Sequence, residues 1–321
     1  MTRRSFGRSG GLLAGIGILA SILVVTAVLG DLPELGNLLS SLHWPSLILL
    51  ILLAVVNHGL RYWRWEILLK RVASSSFKRS TAVRLFSAGS LLIFTPARVG
   101  EAAKSVYARD FFGIPMAISL PVLIAERLTD VVVMALLATL GLLWLGEPLN
   151  LLLAGIIFGV ILIVVVIRRP LLAWAARWNM NRLRASSGLG QMLGLASTSQ
   201  RRLLSPGALG INLTLGVSIW MTEVVIYFFS LFAVGVPVGF HLFALALAVF
   251  PLASFAGSVS FLPGGLGVTE GGITALGMLL GGLPQETVAL SALLTRTAIL
   301  GVMVLTGVVS LVLLRGVPRP E

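Results

Sequence analysis

Two glutamate–arginine pairs with the same spacing are the residues of this chain best suited to chemistry. Glu101 and Glu270 are each followed, 26 residues later, by an arginine inside an apolar run, Arg127 and Arg296. A segment with the pattern F-x-P-x-x-x-G precedes each glutamate, and its two copies start 167 residues apart. Arginines bind phosphate and carboxylate groups well. Helix breakers repeated in two halves of an apolar chain indicate a transporter whose substrate site lies between the repeats.

The second copy of this pattern is rich in glycine. Five glycines and a proline fall within residues 262–272. Backbone amides in such a segment would lack partners in lipid, so we expect them to line a polar cavity. Exposed amides and helix N-termini there suit a phosphate or carboxylate group. We therefore predict that Gly264, Gly265 and Gly267 bind the substrate, together with Arg98 of the first copy and the two glutamates Glu101 and Glu270.

Further charged residues interrupt the apolar runs. Glu126 and Asp130 are four residues apart on one face of a predicted helix, and Glu223 lies alone in a later run. Each charge costs about 2.5 to 3.5 kcal/mol to insert at mid-membrane, so it needs a partner or a wet cavity. One interpretation is a set of ion pairs that ties helices together. The other is that Arg127 and Arg296 bind an anionic headgroup while a nearby acid takes up a proton, the acids being Glu101, Glu126, Asp130, Glu223 and Glu270.

Composition excludes most other classes of protein. Hydrophobic residues make up 57% of the chain and charged residues 11%, whereas about a quarter of a soluble domain is charged. The net charge of +12 comes from connectors between apolar runs, where the positive-inside rule explains it without a nucleic-acid partner. The chain has no cysteine and lacks the motifs G-K-[ST], H-E-x-x-H and G-x-S-x-G. We therefore expect no enzyme, cofactor or metal site, with an intramembrane hydrolase that uses scattered acids as the open alternative.

The order of apolar runs and basic connectors predicts the topology. Six full spans are predicted at residues 12–29, 47–60, 115–145, 149–167, 207–234 and 287–314. The arms of segments 85–113 and 241–282 are interrupted by helix breakers, so we interpret them as re-entrant hairpins that enter from opposite faces. Basic residues at both ends of the chain indicate cytoplasmic termini. Arg61 and Arg64, beside tryptophans, are expected to mark the cytoplasmic interface.

The predicted fold class is therefore an all-α polytopic membrane protein with an inverted-topology repeat. The whole chain, residues 1–321, forms one membrane domain of the cytoplasmic or inner membrane. Its expected parts are a first repeat at 11–146 with its hairpin at 85–113, and a second repeat at 147–314 with its hairpin at 241–282 and a basic cytoplasmic loop at 168–206.

Four motifs together resemble a known family. They are Arg61-Tyr62-Trp63-Arg64-Trp65, Thr95-Pro96-Ala97-Arg98-Val99-Gly100-Glu101, Glu126-Arg127-Leu128-Thr129-Asp130, and Pro263-Gly264-Gly265-Leu266-Gly267-Val268-Thr269-Glu270. Over nearly the whole chain the sequence resembles the flippase-like transmembrane domain of the lysylphosphatidylglycerol synthase family. That resemblance implies movement of lipids such as aminoacylated phosphatidylglycerol between leaflets. In the family a soluble aminoacyl-transferase domain makes this lipid, and none follows the last span here, so we expect flipping without synthesis.

The leading functional hypothesis is a flippase for an anionic lipid that works by alternating access between two inverted repeats. The resemblance extends to stand-alone relatives in polyprenyl-linked sugar and terpenoid pathways, so the lipid partner is a phospholipid or a polyprenyl-phosphate-linked lipid. Two alternatives remain. One is a proton- or ion-coupled carrier of a small soluble anion, and the other is a membrane partner subunit of a lipid-modifying enzyme.

Overall fold

The chain is an all-α polytopic membrane protein. Its computed structural model describes residues 43–73, 77–95, 100–146 and 188–317, and within these ranges the regular structure is helical, without strands. Five of the described helices are long and apolar enough to cross a membrane. The predicted spans at 12–29 and 149–167 and both termini lie outside the described residues.

Nine α-helices lie within the described residues. They are α1 (Trp44–Val72), α2 (Arg79–Ser90), α3 (Ala103–Phe112), α4 (Met116–Leu145), α5 (Gly188–Leu203), α6 (Pro206–Ala233), α7 (Phe240–Val259), α8 (Val268–Gly281) and α9 (Gln285–Leu313). The bounds of α4, α6 and α9 agree within two residues with the predicted spans. Proline and glycine set several of these ends: Pro206 begins α6, and Gly146 follows α4 with a φ of 74°, a backbone geometry that glycine adopts without strain.

The first described helix is longer than predicted. We expected a span at 47–60, but α1 has 29 residues and ends at Val72. Its second half stays helical because Tyr62, Trp65 and Leu69 continue an apolar face that packs against Phe86 of α2. Arg61 and Arg64 therefore lie inside a helix rather than after it. The interpretation of these arginines as interface markers is wrong, since Arg64 is 1% exposed and Arg61 forms a salt bridge with another helix.

The two predicted hairpins differ in length. In the first, α2 and α3 have 12 and 10 residues, which is too short to cross a bilayer because a span needs about 20. In the second, α7 has 20 residues and α8 has 14, so α7 alone is long enough to cross. The helices α7 and α8 pack along each other. The re-entrant course of both hairpins, the inverted repeat and its bounds stay predictions.

The two copies of the F-x-P-x-x-x-G pattern meet inside the protein. A short 3₁₀ turn, Leu91–Phe94, ends at the first residue of the first copy, and the second copy contains the 3₁₀ turn Pro263–Gly265. The Phe94 ring lies so close to Gly264 that a β-carbon built on this glycine would sit 3.3 Å from Cδ1 of the ring. Gly264 also has a φ of 62°, which disfavours other residue types. Both constraints favour glycine where the two segments touch, beside α9.

Candidate functional site

The first glutamate–arginine pair joins the residues just before α3, in the first predicted hairpin, to helix α4. Arg127 Nη2 on α4 lies 3.5 Å from Glu101 Oε2. Lys104 Nζ lies 3.5 Å from the same oxygen, and Arg127 Nη1 lies 3.2 Å from Asp130 Oδ2. The spacing of 26 residues thus brings Glu101 and Arg127 together in space. The Arg127 side chain keeps 32% of its surface exposed.

The second pair forms an equivalent contact with better hydrogen-bond geometry. Arg296 Nε on α9 donates to Glu270 Oε1 at 2.8 Å, and Arg296 Nη2 donates to the carbonyl oxygen of Gly264 at 2.7 Å. The other carboxylate oxygen of Glu270 accepts the Gly267 N–H at 2.7 Å, which caps the start of α8. Only 10% of the Arg296 side chain is exposed. Arg296 therefore holds the glycine-rich turn and α8 against α9.

The glycine-rich turn satisfies much of its own backbone. The Gly265 N–H donates to the Leu262 carbonyl oxygen at 3.0 Å, and the Leu266 N–H donates to the Pro263 carbonyl oxygen at 3.1 Å. With the Gly267 N–H on Glu270, three amides of the turn already have acceptors within the chain. Substrate binding by Gly264, Gly265 and Gly267 stays a prediction. Arg98 lies outside the described residues.

Two arginines of α1 complete the group, and the sequence interpretation missed both. Arg64 Nη1 donates to Asp130 Oδ1 at 2.8 Å, and Arg64 Nε lies 3.6 Å from Glu126 Oε1. Arg61 Nη2 donates to Glu223 Oε1 at 2.5 Å, so the acid that lies alone in α6 has a partner. The apolar pattern that continues past residue 60 indicates that both arginines lie within a helix, but it does not indicate their distant acidic partners.

All five acids proposed from the sequence are ion-paired, and the positive and negative charges are equal in number. We call this set the central charge cluster, and its members are Arg61, Arg64, Lys104, Arg127, Arg296, Glu101, Glu126, Asp130, Glu223 and Glu270. Its pairs connect α1 with α4 and α6, the start of α3 with α4, and α8 with α9. Buried ions need such partners because desolvation is costly.

A polar cavity of about 70 Å³ lies within the central charge cluster. Five residues predicted from the sequence line it, namely Glu101, Glu126, Arg127, Glu223 and Arg296. The main polar lining residues that sequence reasoning missed are His58, Arg61, Arg64, Ser90, Lys104 and Trp220. Because a single water needs about 10 to 15 Å³ of such space, the cavity has room for several waters or a phosphate-sized group.

Three side chains of the cavity wall carry buried N–H groups that lack an acceptor. They are Arg64 Nε, Arg127 Nε and Trp220 Nε1, and none of them has a hydrogen-bond partner among the described residues. A buried donor without an acceptor is unfavourable and uncommon in proteins. An oxygen-rich anion in the cavity would supply acceptors to these side chains after small rotations, so the chemistry of the wall suits an anion.

Comparison with known proteins identifies the family. No curated protein matches the chain. The profile of the lysylphosphatidylglycerol synthase TM region matches residues 12–307, which include both F-x-P-x-x-x-G segments and the whole central charge cluster. The resemblance inferred from the four motifs is thereby confirmed, and the chain belongs to the lysylphosphatidylglycerol synthase transmembrane family.

Proposed function

We propose that the protein is a flippase that moves an anionic, phosphate-bearing lipid between the leaflets of the membrane, without covalent chemistry. The observation that carries this proposal is the polar cavity with three acceptor-less N–H groups in its wall. Phosphate oxygens are strong acceptors for arginine and indole N–H groups. The family, a membrane region named for a lipid synthase, favours a lipid as the source of that phosphate.

Within this proposal Arg127 contacts the headgroup and Arg296 has a different task. Arg127 is about a third exposed, at 32%, and its pairs with Glu101 and Asp130 are 3.5 and 3.2 Å long. An incoming phosphate can therefore replace part of these contacts. Arg296 is 10% exposed and already donates to Glu270 and to Gly264. We assign Arg296 to positioning the glycine-rich turn.

The proposed movement is alternating access between two inverted repeats. In each repeat a glutamate–arginine pair ties a hairpin to the following span, through Glu101 and Arg127 in one and Glu270 and Arg296 in the other. Each hairpin would then move with its span as one body. The contact of Phe94 with Gly264 joins the two bodies. Both termini lie in the cytoplasm in this scheme, and the lipid tails stay in the bilayer.

One observation supports a second candidate, the carrier of a small soluble anion. The cavity, about 70 Å³, is smaller than the 300 to 1,000 Å³ that is usual for pockets that enclose a whole ligand. A lipid needs only its phosphate inside the cavity, whereas a small soluble anion would fit entirely. The two functions therefore differ in what must remain outside the cavity, and a transport assay separates them.

The test uses purified protein in proteoliposomes that contain phosphatidylglycerol with a fluorescent label on one acyl chain. Dithionite added outside bleaches the outer leaflet, and continued bleaching reports exchange from the inner leaflet. A flippase gives continued bleaching that protein-free liposomes lack. Uptake of glycerol phosphate without lipid exchange would support the soluble-anion carrier. Neither activity in well-folded protein would favour the partner subunit of a lipid-modifying enzyme.

A further inference from the structure

We propose that an anion entering the central cavity is accompanied by one proton, and that this proton binds to Glu126. The inference rests on the proposed function and adds the ion that is coupled to it. It concerns the charge balance of the central charge cluster, where five cations face five acids. With every member ionised, the formal charges of the cluster therefore sum to zero while the cavity holds no anion.

A phosphodiester would change that balance by one negative charge. Inside a protein the uncompensated charge is strongly unfavourable, because the surroundings solvate it poorly. The cluster has no spare cation, since each of its arginines and its lysine already pairs with an acid. Uptake of one proton by an acid restores neutrality without moving a helix.

Glu126 is the acid of the cluster that loses the weakest contacts when it is protonated. Asp130, Glu223 and Glu270 each accept a charge-assisted hydrogen bond of 2.8 Å or less from an arginine. Glu101 has two cations within 3.5 Å. In the described part of the chain, Glu126 forms a single salt bridge, the 3.6 Å contact with Arg64 Nε.

Protonation of Glu126 also frees a donor where the anion would bind. Arg64 Nε has no hydrogen-bond acceptor among the described residues, and Glu126 is its nearby counter-charge. Once Glu126 is neutral, Arg64 Nε can donate a hydrogen bond to a phosphate oxygen in the cavity. Both Arg64 and Glu126 line this cavity. The Nη1 contact of Arg64 with Asp130 is unaffected.

The other charges around Glu126 set the direction of the coupling. It lies on α4, which packs against α1, α3, α5, α6 and α7. The charged and titratable groups around it are His58, Arg61 and Arg64 of α1, Glu101 and Lys104 at the start of α3, Arg127 and Asp130 of α4, and Glu223 of α6. Helix α7, Phe240–Val259, carries no Asp, Glu, Lys or Arg, and α5 contributes Arg201 and Arg202 in its last turn.

The cations next to Glu126 favour its ionised form over its protonated form. A bound anion offsets these cations, so it strengthens proton binding at Glu126. By reciprocity, a proton on Glu126 strengthens anion binding to the same extent. Anion affinity must then rise as the pH falls.

The experiment measures binding of dioctanoyl phosphatidylglycerol to the purified protein in detergent over a range of pH. Its phosphodiester keeps one charge near neutral pH, unlike a phosphomonoester with a second pKa of about 6. We expect the Kd to rise about tenfold per pH unit where the proton is released, which corresponds to one proton per lipid. A pH indicator in weak buffer should report uptake of that proton on binding.

The Glu126→Gln variant mimics the protonated acid, so it should bind the lipid with a Kd that is independent of pH and without proton uptake. Asp110→Asn is the matched control, because Asp110 pairs with Arg109 at the end of α3 and does not line the cavity. This control should keep the wild-type pH dependence.

Two failures are distinguishable. Lipid binding to the wild-type protein without proton uptake would overturn the coupling and leave the proposed flippase intact. No binding at any pH would overturn both. The proton count is measured on the wild-type protein, so the proposal remains testable if Glu126→Gln does not fold. Unchanged pH dependence in a folded Glu126→Gln variant would assign the proton to another titratable group of the cavity, either His58 or another acid, and would overturn the role of Glu126.

Discussion

Replacement of Arg296 by methionine tests whether the second glutamate–arginine pair holds the glycine-rich turn in place. The change keeps most of the side-chain volume but leaves the Glu270 carboxylate, 4% exposed, without its cation. Breaking a buried ion pair from one side costs about 3 to 5 kcal/mol. The Gly264 carbonyl oxygen also loses its donor, which adds about 1 kcal/mol or more. We expect a fall in melting temperature of about 10 °C or more, at roughly 2 to 4 °C per kcal/mol.

A double variant distinguishes loss of the pair from general damage to α9. In Arg296→Met/Glu270→Gln neither charge of this pair remains, and the amide oxygen of the new glutamine can accept the Gly267 N–H that Glu270 accepts now. This variant should recover at least half of the lost stability. Arg127→Met is a matched comparison in the first glutamate–arginine pair. It should cost less than Arg296→Met because Arg127 is 32% exposed and its salt bridges are longer.

The assay is thermal unfolding in detergent, followed by tryptophan fluorescence and by the monodisperse fraction that survives heating. A melting temperature of Arg296→Met within about 2 °C of wild type would show that the pair contributes less than about 1 kcal/mol. A double variant no more stable than Arg296→Met would show that the unpaired carboxylate is not the cause. Either result would refute the role assigned to Arg296.

Three further predictions concern packing and contacts around the cluster. Gly141→Leu should destabilise the protein by about 2 kcal/mol or more, because a β-carbon at Gly141 would clash with the backbone of α7 at Ala248; an unchanged melting temperature would contradict this close approach. The chain has no natural cysteine, so the double variant Phe94→Cys/Leu266→Cys should be cross-linked by a short bis-maleimide, because both residues belong to one apolar cluster. Absence of the cross-link in mass spectrometry would refute the contact between the two turns. Asn57→Leu should lower the free energy of unfolding by about 1 to 3 kcal/mol, because the Asn57 side chain hydrogen-bonds with Arg61 and with a backbone carbonyl oxygen of α6. A decrease below about 0.5 kcal/mol in thermal unfolding would contradict that role.

Much of the helical framework could be predicted because the apolar runs are long and have clear ends. Helices α4 and α6 end or begin at Gly146 and Pro206, residues whose backbone preferences are visible in the sequence. The equal spacing of the two glutamate–arginine pairs also pointed to real contacts, since both pairs form in the structure. Local pattern was sufficient for these features.

The roles of Arg61 and Arg64 could not be read from local pattern. Basic residues near the end of an apolar run look the same whether they face lipid headgroups or the protein interior. Their acidic partners lie far away in the chain, with Asp130 66 residues from Arg64 and Glu223 162 residues from Arg61. Only tertiary packing brings them together. The cap formed by Glu270 on Gly267 was accessible in principle, because a glutamate three residues after a helix start is a recognisable signal.

Leaflet exchange by an Arg127 variant tests the central claim most directly. Fluorescent phosphatidylglycerol is reconstituted with wild-type protein, with Arg127→Ala, and with Arg109→Ala as a control whose side chain is 56% exposed and does not line the cavity. The proposed flippase predicts rapid exchange by wild type and Arg109→Ala, and a loss of at least tenfold in Arg127→Ala, equivalent to about 1.4 kcal/mol, with the fold retained. Equal exchange rates in all three proteins would contradict passage of the phosphate through the central cavity.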